Sequence, residues 1–265
     1  MIEVFSSVTG PRSHHRTDDR FFLIASAIMV AVIVAGFARL FLRGISTFAA
    51  PWPVHLHALT FMGWVGFFML QVSLACTGRV DLHRRLGWAG AILIPLLVAI
   101  GAITLCRMMR NAAVPPFWTY AYFFAMNMVA LIAFAVLTIA AIFWRNDTRW
   151  HRRLMFCGMA ALVITPVNRL LPDAILVQYM SLISAAAILL FPLAGMGADW
   201  LRERRIHSAW LWGLGVLTVA GLATEVVGRS SWAGAAVGFI TADSPGALVD
   251  PFVRHLPPAP PAAKD

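Results

Sequence analysis

Charged side chains are scarce in this chain of 265 residues, which is 12% charged and 60% hydrophobic. A soluble domain carries about 25% charged residues, so this chain lacks the polar surface that a water-soluble globule needs. The shortage of charge excludes an ordinary soluble domain and predicts an integral membrane protein in contact with the lipid bilayer.

Motifs of several enzyme and cofactor classes are also missing. The three cysteines form no Cys-x-x-Cys pair, so neither a disulfide framework nor a cysteine zinc site is indicated. There is no His-Glu-x-x-His, no Gly-x-Ser-x-Gly and no phosphate-binding loop. The sequence therefore predicts no catalytic residues and no metal cluster. An intramembrane metal-dependent enzyme stays as an alternative. It would require two loops to converge, so that Asp81 and His83 of one loop and Asp147 and His151 of the other form a metal site.

Long apolar runs are what the chain has instead. A membrane helix needs about 20 mostly apolar residues, and continuous rather than alternating runs favour helices over a barrel. We predict an all-α bundle of about seven membrane-spanning helices at Phe21–Phe41, Val54–Cys76, Leu86–Cys106, Trp118–Phe143, Leu154–Leu171, Ala174–Ala198 and Ser208–Gly228.

Basic residues lie between these spans and predict the orientation. The formal charge of +9 comes from 20 arginines and one lysine, and their position at span ends favours topology over nucleic-acid binding. With the N-terminus inside, 13 basic residues fall on the cytoplasmic side and 8 on the other. We therefore expect a bacterial inner-membrane protein with a cytoplasmic N-terminus and an external C-terminus.

Segments outside the spans divide the chain into three parts. Residues 1–20 form a polar, basic tail that we expect to be loosely ordered, and residues 21–228 form the membrane domain. Residues 229–265 form an external tail, with an interfacial segment at 229–243 and a stretch from Ser244 that includes a Pro-rich run and cannot form a packed core.

A short motif occurs twice on the predicted cytoplasmic side. His-Arg-Arg-Leu begins at His83, before the third span, and again at His151, 68 residues later, before the fifth. This spacing suggests a parallel repeat of two helix hairpins, spans 2–3 and 4–5. In one interpretation the arginines extend to the headgroups and Asp81 and Asp147 support the helix starts. In the other, His83 and His151 face each other and bind a ligand.

A polar stripe is predicted along the second span. His57, Trp64 and Gln71 are spaced by seven residues and share one helix face, whereas His55 points to another face. Such a stripe suits a pore, a ligand groove or a polar contact between helices.

Further polar residues gather in the predicted outer half of the bundle. They are Asn127 in the fourth span, Asn168 and Arg169 after the kink expected at Pro166, and Glu225 near the end of the seventh span. Ionisable and amide groups at membrane depth are functional candidates. We expect an outward-facing pocket in which Arg169 and Glu225 pair.

The motifs also carry a family resemblance over roughly residues 20–200. His55-Leu-His57, the segment 78–87 and His151-Arg-Arg-Leu-Met155 resemble a group of uncharacterised bacterial multi-pass membrane proteins. The segment 149–155 is more distantly similar to membrane proteins that help to mature haem-containing cytochrome oxidases. That similarity implies a link to haem or to the assembly of a respiratory complex.

Three functions remain open on this sequence. A haem protein would use His83 with His151 as an axial pair, or His57 as a single ligand. A transporter or receptor for a small ligand would use the predicted outer pocket. Its residues are His55, Trp64, Gln71, Asn127, Asn168, Arg169 and Glu225. The third alternative is the intramembrane metal-dependent enzyme.

Overall fold

The chain is helical throughout the part that can be described. The computed structural model describes residues 12–44 and 48–254, with side chains for 18–44, 48–172, 175, 178, 179 and 181–254. Within these ranges there are α-helices, one short 3-10 helix and no β-strand. The helices are α1 Arg12–Leu42, α2 Trp52–Cys76, α3 Val80–Arg110, α4 Tyr120–Phe143, α5 Thr148–Ala161, α6 Ile164–Leu170, α7 Asp173–Glu203, α8 Ser208–Gly228 and α9 Ser231–Thr241.

The prediction of a membrane bundle of about seven spans is confirmed. Six helices of the described chain are long and apolar enough to cross a bilayer: α1 to α4, α7 and α8. The bent pair α5–α6 is long and apolar enough to make a seventh if its two helices form one span. Within the described side chains the span in α7 covers Ser181–Glu203, and the helix departs from helical geometry at Tyr179.

The fifth span is broken where the sequence suggests. The axes of α5 and α6 differ by 44°, and the break lies at Leu162 and Val163. Pro166 has no N–H to donate, and its ring clashes with the carbonyl four residues earlier, which belongs to Leu162. The proline therefore explains the position of the bend.

Helix α4 lies at the centre of the bundle, where it packs against α3, α5, α8 and α9. Its side chains Phe134, Leu137 and Thr138 are almost completely buried. Large apolar side chains such as Ile92 and Val219 are exposed on the outside, where lipid would cover them. The core is therefore a helix–helix interface inside an apolar shell.

Two glycines extend the repeat that the sequence suggests. Gly90 and Gly158 are 68 residues apart, like the two histidines. A Cβ at Gly90 would lie 3.1 Å from the ring of Phe67 in α2, and one at Gly158 would lie 2.7 Å from Cγ2 of Thr138 in α4. Each glycine thus lets the second helix of a hairpin approach the first.

The described parts of both predicted tails, residues 12–20 and 229–254, are more structured than expected. Residues 12–20 belong to α1, and Asp18 in this segment is buried. After α9, which forms a helix in the predicted interfacial segment, Gly246 packs against Met109 and the amide of Ala121 donates to the carbonyl of Pro251. The prediction that residues from Ser244 stay unpacked is therefore wrong for 244–254, because they close over the ends of α3 and α4. The Pro-rich run lies outside the described residues.

Candidate functional site

The two repeated histidines lie side by side at one end of the bundle. His83 is in the first turn of α3 and His151 is in the first turn of α5. Their ring centroids are 6.1 Å apart and their planes are inclined by 78°. We call this end, where α2 joins α3 and α4 joins α5, the His83 end, and the opposite one the His57 end.

Both imidazoles are held in the same way. Nδ1 of His83 lies 3.2 Å from the carbonyl oxygen of Gln71 in α2, and Nδ1 of His151 lies 2.8 Å from that of Ala141 in α4. Because a carbonyl only accepts, each Nδ1 is the protonated nitrogen, and a neutral ring keeps a lone pair on Nε2. Imidazoles that bind metals are commonly oriented by this contact.

The pair offers two protein ligands to a metal. Within residues 12–44 and 48–254, no group of three or more His, Cys, Asp or Glu side chains comes close enough to hold an ion. Asp147 is engaged in a different role, since its carboxylate caps α5 by accepting from the amides of Arg149 and Trp150. Its predicted support of the helix start is thus confirmed.

A buried ion network lies beside His151, and sequence analysis missed it. Arg153 and Asp199 are each 1% exposed and form a salt bridge, with Nη2 to Oδ1 at 2.8 Å. Trp210 Nε1 donates to Asp199 Oδ2 at 2.9 Å. Arg202 reaches both Asp199 and Asp18.

The interpretation that the arginines of the motif extend to the headgroups is wrong for Arg153. Its neighbour Arg152 pairs with Asp18 of α1, so the second motif binds α5 to α1 and α7. The sequence feature that pointed to this network was Asp199. It is an acidic residue close to the end of an apolar run, on the predicted side of the membrane that carries most of the arginines. Its partner could not be inferred from linear spacing.

His207 also belongs to the His83 end and caps a helix. Its Nδ1 accepts from the amide of Ala209 at 3.2 Å, at the start of α8. Burial, followed by the charges of Arg153 and Arg149, lowers the pKa of His207 below its ordinary value of 6.5. The neutral ring that the cap requires is therefore favoured.

At the other end, His57 points into the bundle and His55 is exposed, as their positions on α2 predict. The ring of His57 lies 4.3 Å from that of Phe61. Its Nδ1 is buried and has no hydrogen-bond partner in the described part of the chain.

The predicted stripe continues inside the bundle from His57. Trp64 is 2% exposed and meets the ring of Phe134 in α4 at 5.2 Å, and Gln71 is 9% exposed. The indole N–H of Trp64 and both amide atoms of Gln71 have no partner among the described residues. A polar contact between helices is therefore not formed here, while a role in a pore or groove stays a prediction.

The predicted pairing of Arg169 with Glu225 is wrong. Glu225 Oε1 accepts from the hydroxyls of Tyr122 at 2.5 Å and Ser181 at 2.6 Å, while Oε2 pairs with Arg229 at 2.8 Å. These groups on α4, on α7 and just after α8 satisfy the carboxylate without Arg169.

The predicted outer pocket is consequently divided. Asn127 donates to the carbonyl of Phe123 in its own helix. Asn168 is 6% exposed, and neither of its amide atoms has a partner in the described part of the chain. Asn168 and Arg169 are therefore not part of the group of side chains around Glu225.

Comparisons with known proteins give no relative for this arrangement. No family model, no curated protein and no solved structure matches the chain.

Proposed function

We propose that this integral membrane protein binds haem through His83 and His151 at the His83 end of its bundle, in a bacterial inner membrane with the N-terminus inside. The supporting observation is that both imidazoles are anchored by Nδ1 to carbonyls of the preceding helices and lie 6.1 Å apart. In this tautomer Nε2 of each ring carries the lone pair that would ligate iron.

Haem suits this donor set better than a bare ion does. A protein-bound zinc ion takes four ligands, and the described chain brings only the two imidazoles together here. Haem iron already has four ring nitrogens and needs only axial ligands from the protein. When bound, haem would supply one-electron redox chemistry.

The separation of the rings supports the same assignment. With 6.1 Å between their ring centroids, His83 and His151 would be the two residues that hold the iron. The backbone carbonyls of Gln71 and Ala141 keep each ring from rotating. The role of this chain is thus to hold two ligands on two hairpins and to orient them.

An optical experiment tests the proposal. We expect the detergent-purified protein to show a Soret band and a reduced-minus-oxidised difference spectrum. The band should shift or disappear in His83→Ala and in His151→Ala. The matched control is His55→Ala, which removes an exposed imidazole and should leave the spectrum unchanged.

Two other results would reject the assignment to this pair. A colourless protein that takes up no added haemin would refute haem binding. A spectrum that changes only in His57→Ala would place the ligand at the other end of the bundle.

A role in respiratory-oxidase assembly is the corresponding proposal for partners. It rests on the resemblance of the segment 149–155 to oxidase-maturation proteins. If it is correct, deleting the protein should lower the haem content of the oxidase, and the wild-type chain should restore it while the double variant His83→Ala/His151→Ala should not.

A further inference from the structure

Arg169 is a partly buried cation for which the described chain provides no counter-ion. It lies at the end of α6, and its guanidinium stacks over the ring of Phe37 at 4.3 Å. None of the ion pairs in the described part of the chain includes it, and Glu225 is engaged elsewhere. A charge withdrawn from water without a partner is costly, particularly in a membrane.

A second arginine is held at the same place. Nη1 of Arg39 donates to the carbonyl oxygen of Arg169 at 2.5 Å and to that of Leu171 at 3.3 Å. Helices α1 and α6 are in close contact, since a Cβ on Gly36 would lie 2.4 Å from the carbonyl oxygen of Pro166. Each arginine follows this contact by three residues, so the crossing places the Arg39 side chain against the backbone at the end of α6.

Neutral hydrogen-bonding groups adjoin these charges. His57 lies within electrostatic range of Arg169, and its buried Nδ1 has no partner in the described residues. Asn168 precedes Arg169, is more than nine-tenths buried and has both amide atoms without a described partner. Donors beside a guanidinium are the groups that recognise phosphate and carboxylate oxygens.

We propose that Arg169, Arg39, His57 and Asn168 form a binding site for an oxyanion at the His57 end of the bundle. The ligand chemistry is a phosphate group, either free or on an anionic lipid. The guanidinium of Arg169 provides the charge and a planar set of donors, and the phosphate neutralises a cation for which the described residues supply no counter-ion. This site lies at the opposite end from His83 and does not depend on haem.

Thermal unfolding of delipidated protein tests the site. Inorganic phosphate and dioctanoyl phosphatidylglycerol serve as probes, with dioctanoyl phosphatidylcholine as the lipid control. We expect at least one anionic probe to raise the Tm of the wild type in a saturable way. The Arg169→Gln variant should lose this response or need at least about tenfold more probe, equivalent to about 1.4 kcal/mol of binding free energy.

Matched variants separate a specific site from a general charge effect. Arg43→Gln removes the same charge from an exposed position at the end of α1 and should respond like the wild type. Arg169→Lys keeps the charge but not the planar donors and should respond more weakly than the wild type, which keeps the test valid if Arg169→Gln does not fold.

The outcomes have distinct meanings. A response to both anionic probes identifies free phosphate as a ligand, and a response to phosphatidylglycerol alone identifies a lipid headgroup. Equal responses to phosphatidylglycerol and phosphatidylcholine, no response to any probe, or full responses in both Arg169 variants would overturn the proposal.

Discussion

The two His-Arg-Arg-Leu segments have the same four residues but different surroundings. In both, the histidine is anchored to a carbonyl of the preceding helix. In the first segment Arg84 and Arg85 are exposed, whereas in the second Arg153 is 1% exposed and paired with Asp199. The start of α5 is covered by α1, α7 and α8, and this cover turns a surface motif into a buried one. The contact of the histidine is thus set within each helix hairpin, whereas the contacts of the arginines depend on which other helices pack against that hairpin.

The largest expected difference between the segments concerns the arginines. Arg153→Leu removes the buried guanidinium that pairs with both oxygens of Asp199 and leaves this carboxylate, among the described residues, only the longer ion pair with Arg202 at 3.4 Å, so it should lower the free energy of unfolding by about 3–5 kcal/mol. Arg85→Leu removes an exposed side chain and should change it by less than about 0.5 kcal/mol. Denaturant titration of both variants in the same detergent measures the contrast. Equal effects would show that the buried pair does not stabilise the fold.

The paired glycines should differ in the same direction. Gly158→Ala places a methyl group against Cγ2 of the buried, β-branched Thr138, and overpacking of this kind costs about 1–3 kcal/mol. Gly90→Ala meets the edge of Phe67, a half-buried ring that has room to move, and should cost less than about 1 kcal/mol. Thermal unfolding of the two variants tests the order. If Gly90→Ala is the more damaging one, the packing of the two hairpins is not as described.

The acidic residues near the two helix starts give a smaller contrast. Asp147 accepts two amide hydrogens as the N-cap of α5, so Asp147→Ala should destabilise the protein by about 1 kcal/mol. Asp81 lies in the first turn of α3 without capping it, and Asp81→Ala should cost less than about 0.5 kcal/mol. Equal Tm shifts for the two would argue against the cap.

His207, which contacts Trp150 near the second segment, adds a pH dependence to the stability. Its pKa is lowered in the folded protein, so the unfolded chain binds more protons as the pH falls through 6.5. The stability that the neutral His207 ring contributes is fully present above about pH 6.5 and decreases as the pH falls below it. His207→Asn keeps a capping group that does not titrate and should flatten the curve of Tm against pH between about 7 and 5. An unchanged slope in this variant would mean that other groups cause the pH dependence.

Much of the fold could be predicted because it follows from local chemistry. Apolar run length gave the spans, and Pro166 gave the bend at Leu162 through its missing donor. The repeated motif also pointed to the two histidines, because equivalent hairpins place equivalent residues at one end. These are properties that a short stretch of chain carries by itself.

The partners of charged groups could not be predicted in the same way. Glu225 meets Tyr122 and Ser181 rather than Arg169, and Arg153 meets Asp199, 46 residues away. Such contacts depend on how each helix is rotated and which helices are neighbours, and residue spacing within one helix does not contain that information. Arg169 has no counter-ion in the described part of the chain because Glu225 is satisfied by Tyr122, Ser181 and Arg229.

Electron paramagnetic resonance of the ferric protein tests the central proposal most directly, because it reports how many strong axial ligands the iron has. If His83 and His151 bind one haem, the wild type and His55→Ala should give a low-spin signal, and either single variant of the pair should convert it to high spin. A low-spin signal that persists in both single variants, or the absence of any haem signal, would contradict a centre shared by the two hairpins.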